Sequence, residues 1–422
     1  GCDGSNVVPT AGAPVASSTL GCHVASQTAD TNVTLTIEPG VIIYGGTGQS
    51  WLAVNRGNKL NAVGTAARPI VFTSRDNVLG LNTNSSQGQW GGVVLMGRAP
   101  TTDCTTGTVA AGTCERQTEG SADPARFGGS NAADNSGRLS YVQIRYSGFI
   151  LGSGVELQAL TTEGIGSGTV LDHIQSVNSS DDGGEFFGGS VNMKYYIAAG
   201  ADDDSLDVDT GAQMNVQYAL LGQRSGRGDA LMEIDSNGNE ADTPRTNLKV
   251  ANFTALQSAA SSDNEANARA SLFYRGNSDI TLLNGIVNTP NNECIRQNGS
   301  GTTPTTLTAR SVAMTCSGTG SAKYIGSGSY TAAQVQANFG SGSNNNNDAL
   351  TSTLTGFVNG ANETGVAAVD PKTFAAFFDT TTWIGAVRNT TDTWYASWTC
   401  NSDVFDFGSG NTGACTTLPV FS

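Results

Sequence analysis

Tyr141-Val142-Gln143-Ile144-Arg145-Tyr146-Ser147-Gly148 alternates apolar and polar side chains and then breaks at glycine. The same pattern returns at Leu171–Val177, Met193–Ala199, Val216–Leu221, Leu248–Phe253 and Ile280–Ile286. Alternation with a period of two marks a strand with one face turned inward. Successive copies lie roughly 22 to 32 residues apart, within the range of periods that marks solenoids. One such repeat cannot bury its apolar side alone, whereas a stack of repeats can. The expected fold is therefore all-β: a right-handed parallel β-helix with an N-terminal cap and a small aromatic, disulfide-bonded C-terminal cap.

Working outward, short strand-like runs begin early, at Val33–Ile37, Val41–Tyr44, Trp51–Val54 and Pro69–Thr73. Glu38-Pro39-Gly40 and Gly64-Thr65-Ala66 read as turns that close the first coils. Helical periodicity is almost absent before residue 330, and the candidate helices are Thr331–Phe339 and Pro371–Phe378. Ser341–Asn347 reads as a low-complexity surface excursion. The tail from Val369 holds Trp383, Trp394 and Trp398, three of the five tryptophans. It is expected to plug the open end of the solenoid, since a bare terminal coil invites further strand pairing. The expected division is a cap over residues 1–30, a β-helix over 31–330, and a C-terminal loop, helix and cap over 331–422.

Composition agrees with many tight turns. The 422 residues include 54 glycines, only 14% are charged, and the net charge is −15. The acidic balance argues against a nucleic-acid partner, which needs clustered Lys and Arg. No apolar run is long enough for a transmembrane segment, and the chain as given reads as a processed form. Eight cysteines fall into neighbouring pairs: Cys2 with Cys22, Cys104 with Cys114, Cys294 with Cys316, and Cys400 with Cys415. Nearest-neighbour disulfides are the simplest reading, with unpaired buried thiols as the other. Zinc is disfavoured, because no C-x-x-C is present and the only histidines are His23 and His173. Disulfides imply an oxidising compartment, secreted or on the outer cell surface. Gly1-Cys2 also resembles a lipoprotein cleavage box, in which Cys2 would carry lipid.

The stretches "TLTIEPGVIIYGG", "WLAVNRGNKLNAVGTAARPIVFTS", "WGGVVLMGRAP", "DDGGEFFGGSVNMKYYIAAGADDDSLDVDTG" and "WIGAVRNTTDTWYASWTC" resemble a widespread family of uncharacterised bacterial surface β-helix proteins. The resemblance covers most of the chain. It implies a right-handed parallel β-helix on the outside of the cell, and it implies no activity.

The most chemical-looking stretch is acidic. Asp181-Asp182-Gly183-Gly184-Glu185 is followed about 22 residues later by Asp203-Asp204-Ser205-Leu206-Asp207, with Asp209 beyond. A third string runs from Asp229 to Glu233, with Asp235 after it. Residues one coil apart stack about 4.8 Å apart. That places Asp182 over Asp204 with Asp229 nearby, and Glu185, Asp207 and Glu233 in a second column. Like charges about 5 Å apart repel by roughly 3 kcal/mol per pair at an effective dielectric near 20. A cation, a raised pKa, turn amides, or Lys194, Arg224 and Arg227 would relieve this. Calcium is the natural cation, because it takes six to eight hard oxygen ligands in irregular geometry. Asp181, Asp182, Glu185, Asp203, Asp204, Asp207, Asp209 and Glu233 are then the candidate ligands. Against this stands a structural role in which the carboxylates cap turns.

A catalytic carboxylate pair is the third reading, but no Gly-His-Gly, Arg-x-Lys, G-x-S-x-G, P-loop or H-E-x-x-H motif accompanies it. His173 sits in a repeat strand and is expected to pack or hydrogen-bond there. Phe186 and Phe187 read as core. Arg56, Lys59, Arg68 and Arg75 read as a solvated basic face. Two functions remain. The first is a non-enzymatic structural or adhesive surface protein, self-associating head to tail into a filament or matrix. The second is a β-helix that binds or cleaves surface glycans through the Asp181–Asp209 groove.

Overall fold

The computed structural model describes residues 33–46, 50–119, 126–152, 155–236, 241–261, 270–299 and 303–421. The expected cap over residues 1–30 and the Cys2–Cys22 pair lie outside them. Two long parallel sheets run the length of the molecule. The main path of the first passes through Thr34–Ile37, Lys59–Val63, Gly137–Arg145, Val170–Val177, Ser190–Ala199, Gln213–Gly222, Thr246–Leu256, Ser278–Thr289 and Thr306–Cys316. The second passes through Leu52–Val54, Val93–Met96, Leu160–Glu163, Gly184–Phe187, Asp207–Asp209, Met232–Ile234, Ala270–Tyr274, Glu293–Gly299 and Tyr324–Gly328. Along the chain the strands alternate between the two sheets, so each coil supplies one strand to each. This is a parallel β-helix.

Register explains the repeat. Val142, Ile174, Tyr196, Ala219, Phe253, Gly285 and Val312 lie over one another. The column faces inward, and its side chains are fully buried. Gly285 is required here: a Cβ would fall 2.1 Å from Cζ of Phe253 on the coil below.

The residue just before this column bends every long strand. Tyr141, His173, Tyr195, Tyr218, Asn252, Asn284 and Ser311 all have φ between 50° and 64°, a left-handed conformation that non-glycine residues seldom adopt. The first two coils turn the same corner with loops, at 38–41 and 64–69, as the early turn signals predict. Stacking helps to hold the corner. Ring centroids are 4.2 Å apart for Tyr141 and His173, 4.3 Å for His173 and Tyr195, and 4.8 Å for Tyr195 and Tyr218. His173 is thus a packed rung that also hydrogen-bonds Asp172 through Nδ1 at 2.8 Å.

The C-terminal segment departs from the end-plug expectation. The aromatic, disulfide-bonded unit is present, but it lies along the flank. It forms a strap that runs back from the last coil towards the first. Thr315 Oγ1 donates to Leu350 O, Asn284 Nδ2 to Val369 O, Asn252 Nδ2 to Trp383 O, Gln175 Nε2 to Cys400 O and Arg145 Nη1 to Cys415 O. Trp398, Phe405 and Phe407 pack with Ile197 and Leu220 beneath it. The outward amide side chains reach the strap's backbone because the sheet face there would otherwise bury unpaired polar groups.

The last coil is sealed instead by a helix over Ala332–Phe339. Thr331 and Gln334 form its capping box and left-handed Gly340 ends it. Val335 and Phe339 enter the core. The expected surface excursion at 341–347 is partly structural: Asn347 bridges Ala313, and buried Asn346 accepts from Val312 N at 3.1 Å. The outer edge of Thr306–Cys316 is therefore met by the chain itself over Ser311–Met314, which shortens the edge open to a head-to-tail neighbour. The helix expected over Pro371–Phe378 is only a 3-10 turn over Pro371–Thr373, because the segment follows the strap's path. Arg56 also differs from expectation. It is fully buried, with Nη1 donating to Gly128 O at 3.0 Å and Nη2 paired with Glu115. Phe186 and Phe187 are core, as expected.

Among the described residues every cysteine pair is a disulfide: Cys104–Cys114, Cys294–Cys316 and Cys400–Cys415. Among the described residues no helix is long and apolar enough to cross a membrane.

Candidate metal centre

The acidic strings sit on the outer side of the second sheet and in the turns leading into it. Strand register pairs Glu185 with Asp207, and Asp207 with Glu233. Their side chains alternate with the inward Phe186, Val208 and Ile234, so burial of the apolar set forces the carboxylates outward on the same face. In the preceding turn, Asp204 N donates to Asp182 Oδ1 at 2.9 Å, and Ala230 N donates to Asp204 Oδ1 at 2.7 Å. Asp182 and Asp204 therefore cap the turn of the next coil, and Asp182 also faces a cleft. Gly184 allows the tight entry: a Cβ would sit 2.9 Å from Tyr196 Oη, which donates to Ser205 O.

Three sets of carboxylates converge. Ligand oxygens of Asp181, Asp182 and Asp203 lie within 4.8 Å of one another, as do those of Asp182, Glu185 and Asp207, and those of Asp203, Asp204 and Asp229. Such clusters of buried acidic residues could hold a metal ion. The first two sets line a cleft of about 480 Å³ that Glu119, Glu156 and Gln158 also border. Gln158 Nε2 donates to Asp181 at 3.1 Å.

Burial pushes the carboxyls of Asp182, Glu185, Asp204 and Asp207 well above the usual carboxylate range, and their acidic neighbours push them further. Asp181 is raised by burial, by a hydrogen bond with Glu156 and by Asp203. Glu185 is only 8% exposed. Asp207 Oδ1 is buried without a hydrogen-bond partner.

The eight sequence candidates divide. Asp181, Asp182, Glu185, Asp203, Asp204 and Asp207 are brought together. Glu233 continues the column, but Arg275 Nη1 pairs with it at 3.0 Å and with Asp235 at 3.1 Å. Asp209 is raised by burial and by Asp235, and accepts from Thr210 N. Both lie outside the three sets. None of the cations named from sequence relieves the columns. Lys194 pairs with Asp379, Arg227 with Asp202, and Arg224 donates to Gly200 O. Arg275 takes that role at one end, and sequence reading missed it because 40 residues separate Ile234 from its register partner Tyr274. Glu119 and Glu156 were missed because they lie outside the repeating strings. Asp229, expected nearby, is in the third set.

A family model described as a pectate-lyase like beta helix domain matches residues 23–399. No curated protein and no solved structure matches the chain.

Proposed function

We propose that this chain, which belongs to the pectate-lyase-like β-helix domain family, takes up calcium in its acidic cleft and through it holds an anionic polysaccharide outside the cell. The observation that carries this reading is the set Asp182, Glu185 and Asp207: two buried carboxylates and one half-buried, within 4.8 Å of one another, the last with a buried oxygen lacking any partner. Hard oxygen donors in an irregular cluster suit calcium better than softer metals. A cation half-coordinated by protein leaves positions for carboxylates of a glycan, which the acidic groove alone would repel. Three disulfides fit an oxidising exterior. The filament reading gains nothing from the sealed last coil, so binding takes precedence over assembly here.

Cleavage is a second reading, favoured by Arg275 beside Glu233 and Asp235 at the far end of the same face. The test is a panel of acidic and neutral polysaccharides offered with calcium and with chelator. Calcium-dependent retention of acidic glycans alone is expected, and it should vanish in Asp182→Asn. Equal retention under both conditions overturns the proposal. Ultraviolet-absorbing unsaturated products in the same mixtures would move the chain to the cleavage reading.

A further inference from the structure

We infer that the cleft and the turn adjoining it take up divalent cations as a carboxylate-bridged string, with Asp182 and Asp203 each shared between two ions. The inference rests on the reading above that the cleft binds cations, and concerns how many it binds and how they are linked. The three sets are not separate. The first and second share Asp182, and the first and third share Asp203. A carboxylate has two oxygens and four lone-pair sites, so it can serve two ions even while accepting one backbone amide. Asp182 does accept one, from Asp204 N.

Two further observations point into the same space. Glu185 is 8% exposed, and its register partner across the strands is another carboxylate, Asp207. Asp207 Oδ1 is buried and unpartnered. Both line the cleft.

Charge then sets the number. The sets together hold Asp181, Asp182, Glu185, Asp203, Asp204, Asp207 and Asp229. One divalent ion offsets two of these charges and leaves a crowded anionic remainder, whereas three offset six. Ions that share carboxylates in this way sit roughly 4 Å apart.

Calcium uptake by the whole chain, measured by flow dialysis, tests this. Three ions per chain are expected, and two would overturn the sharing at one of the two carboxylates. Asp182→Asn should lose two of them and Asp229→Asn only one. On unmodified protein, half-loading with mixed terbium and europium should give energy transfer between the lanthanides, a readout that needs no variant to fold. One ion per chain, or no energy transfer, overturns the string but leaves the calcium reading standing. No ion at all overturns both. Equal losses in the two variants overturn the sharing at Asp182.

Discussion

Asp182 accepts the backbone N–H of Asp204 at 2.9 Å, so one side chain both fastens a coil to the next and faces a cleft of like charge. The two roles separate on substitution. Asp182→Asn keeps an acceptor for the amide and removes a charge. In chelator its melting temperature should equal or exceed that of the unmodified protein, by about 1–3 °C. In calcium the order should reverse, because a ligand bound only to the native state adds stability. Paired thermal scans check both signs, and a loss in chelator would make the fastening role the larger one.

Stability should fall as pH rises when no cation is present. A carboxyl whose pKa is raised on folding binds its proton more tightly in the native state. Its contribution is full below the ordinary carboxyl range and declines towards the folded value. Glu163, fully buried with Thr118 Oγ1 donating to it at 2.9 Å, is pushed by burial up to about 8. The metal-free protein should therefore lose stability from about pH 5 to about pH 8, by up to ~1.4 kcal/mol per pH unit for each such group. Urea midpoints across that range test the slope. Glu163→Gln should flatten its upper part, and saturating calcium should flatten the part due to the cleft.

Arg275 is the cation for two carboxylates at once. Arg275→Met should leave Glu233 and Asp235 facing each other and lower stability by about 1–2 kcal/mol, a figure reduced by the half-exposed guanidinium. Calcium should recover part of the loss if the ion reaches the vacated end. Denaturant midpoints with and without calcium give the answer.

Gly285→Ala should cost about 1–3 kcal/mol by forcing Phe253 out of its rotamer. Phe253→Leu in the same chain should return much of it, a coupling that a double-mutant cycle measures.

Arg145 is buried, and its Nη1 donates to both Cys415 O and Thr417 O at 2.7 Å. Arg145→Ala should free the strap's far end. Limited proteolysis should then cut near residues 401–417 several-fold faster, while the β-helix remains intact by circular dichroism.

The alternation at Met193–Ala199 and its sister runs was enough to read the coils, because an inward face repeats every second residue and every coil. The column of Glu185, Asp207 and Glu233 was equally legible, since near-constant coil length turns sequence spacing into vertical stacking. What could not be read depends on excursions and on the corner. Arg56 looked solvated because its partner Glu115 lies in an insertion. Arg275 was hidden because its neighbour Tyr274 lies 40 residues beyond its register partner Ile234. The strap was unreadable because its anchors, Gln175, Asn252 and Asn284, are ordinary amides in sequence. They become anchors only where the left-handed corner residues turn the outer face towards the returning chain.

That return path ties the order of synthesis to the finished shape. Coils can stack one after another as they leave the ribosome, each resting on its predecessor. The clasp near Asn77 and Arg145, however, is completed by residues 415–417, which emerge only after every coil. The earliest coils thus wait longest for their outer cover, and a chain cut short would carry a bare, amide-studded flank that marks it as unfinished.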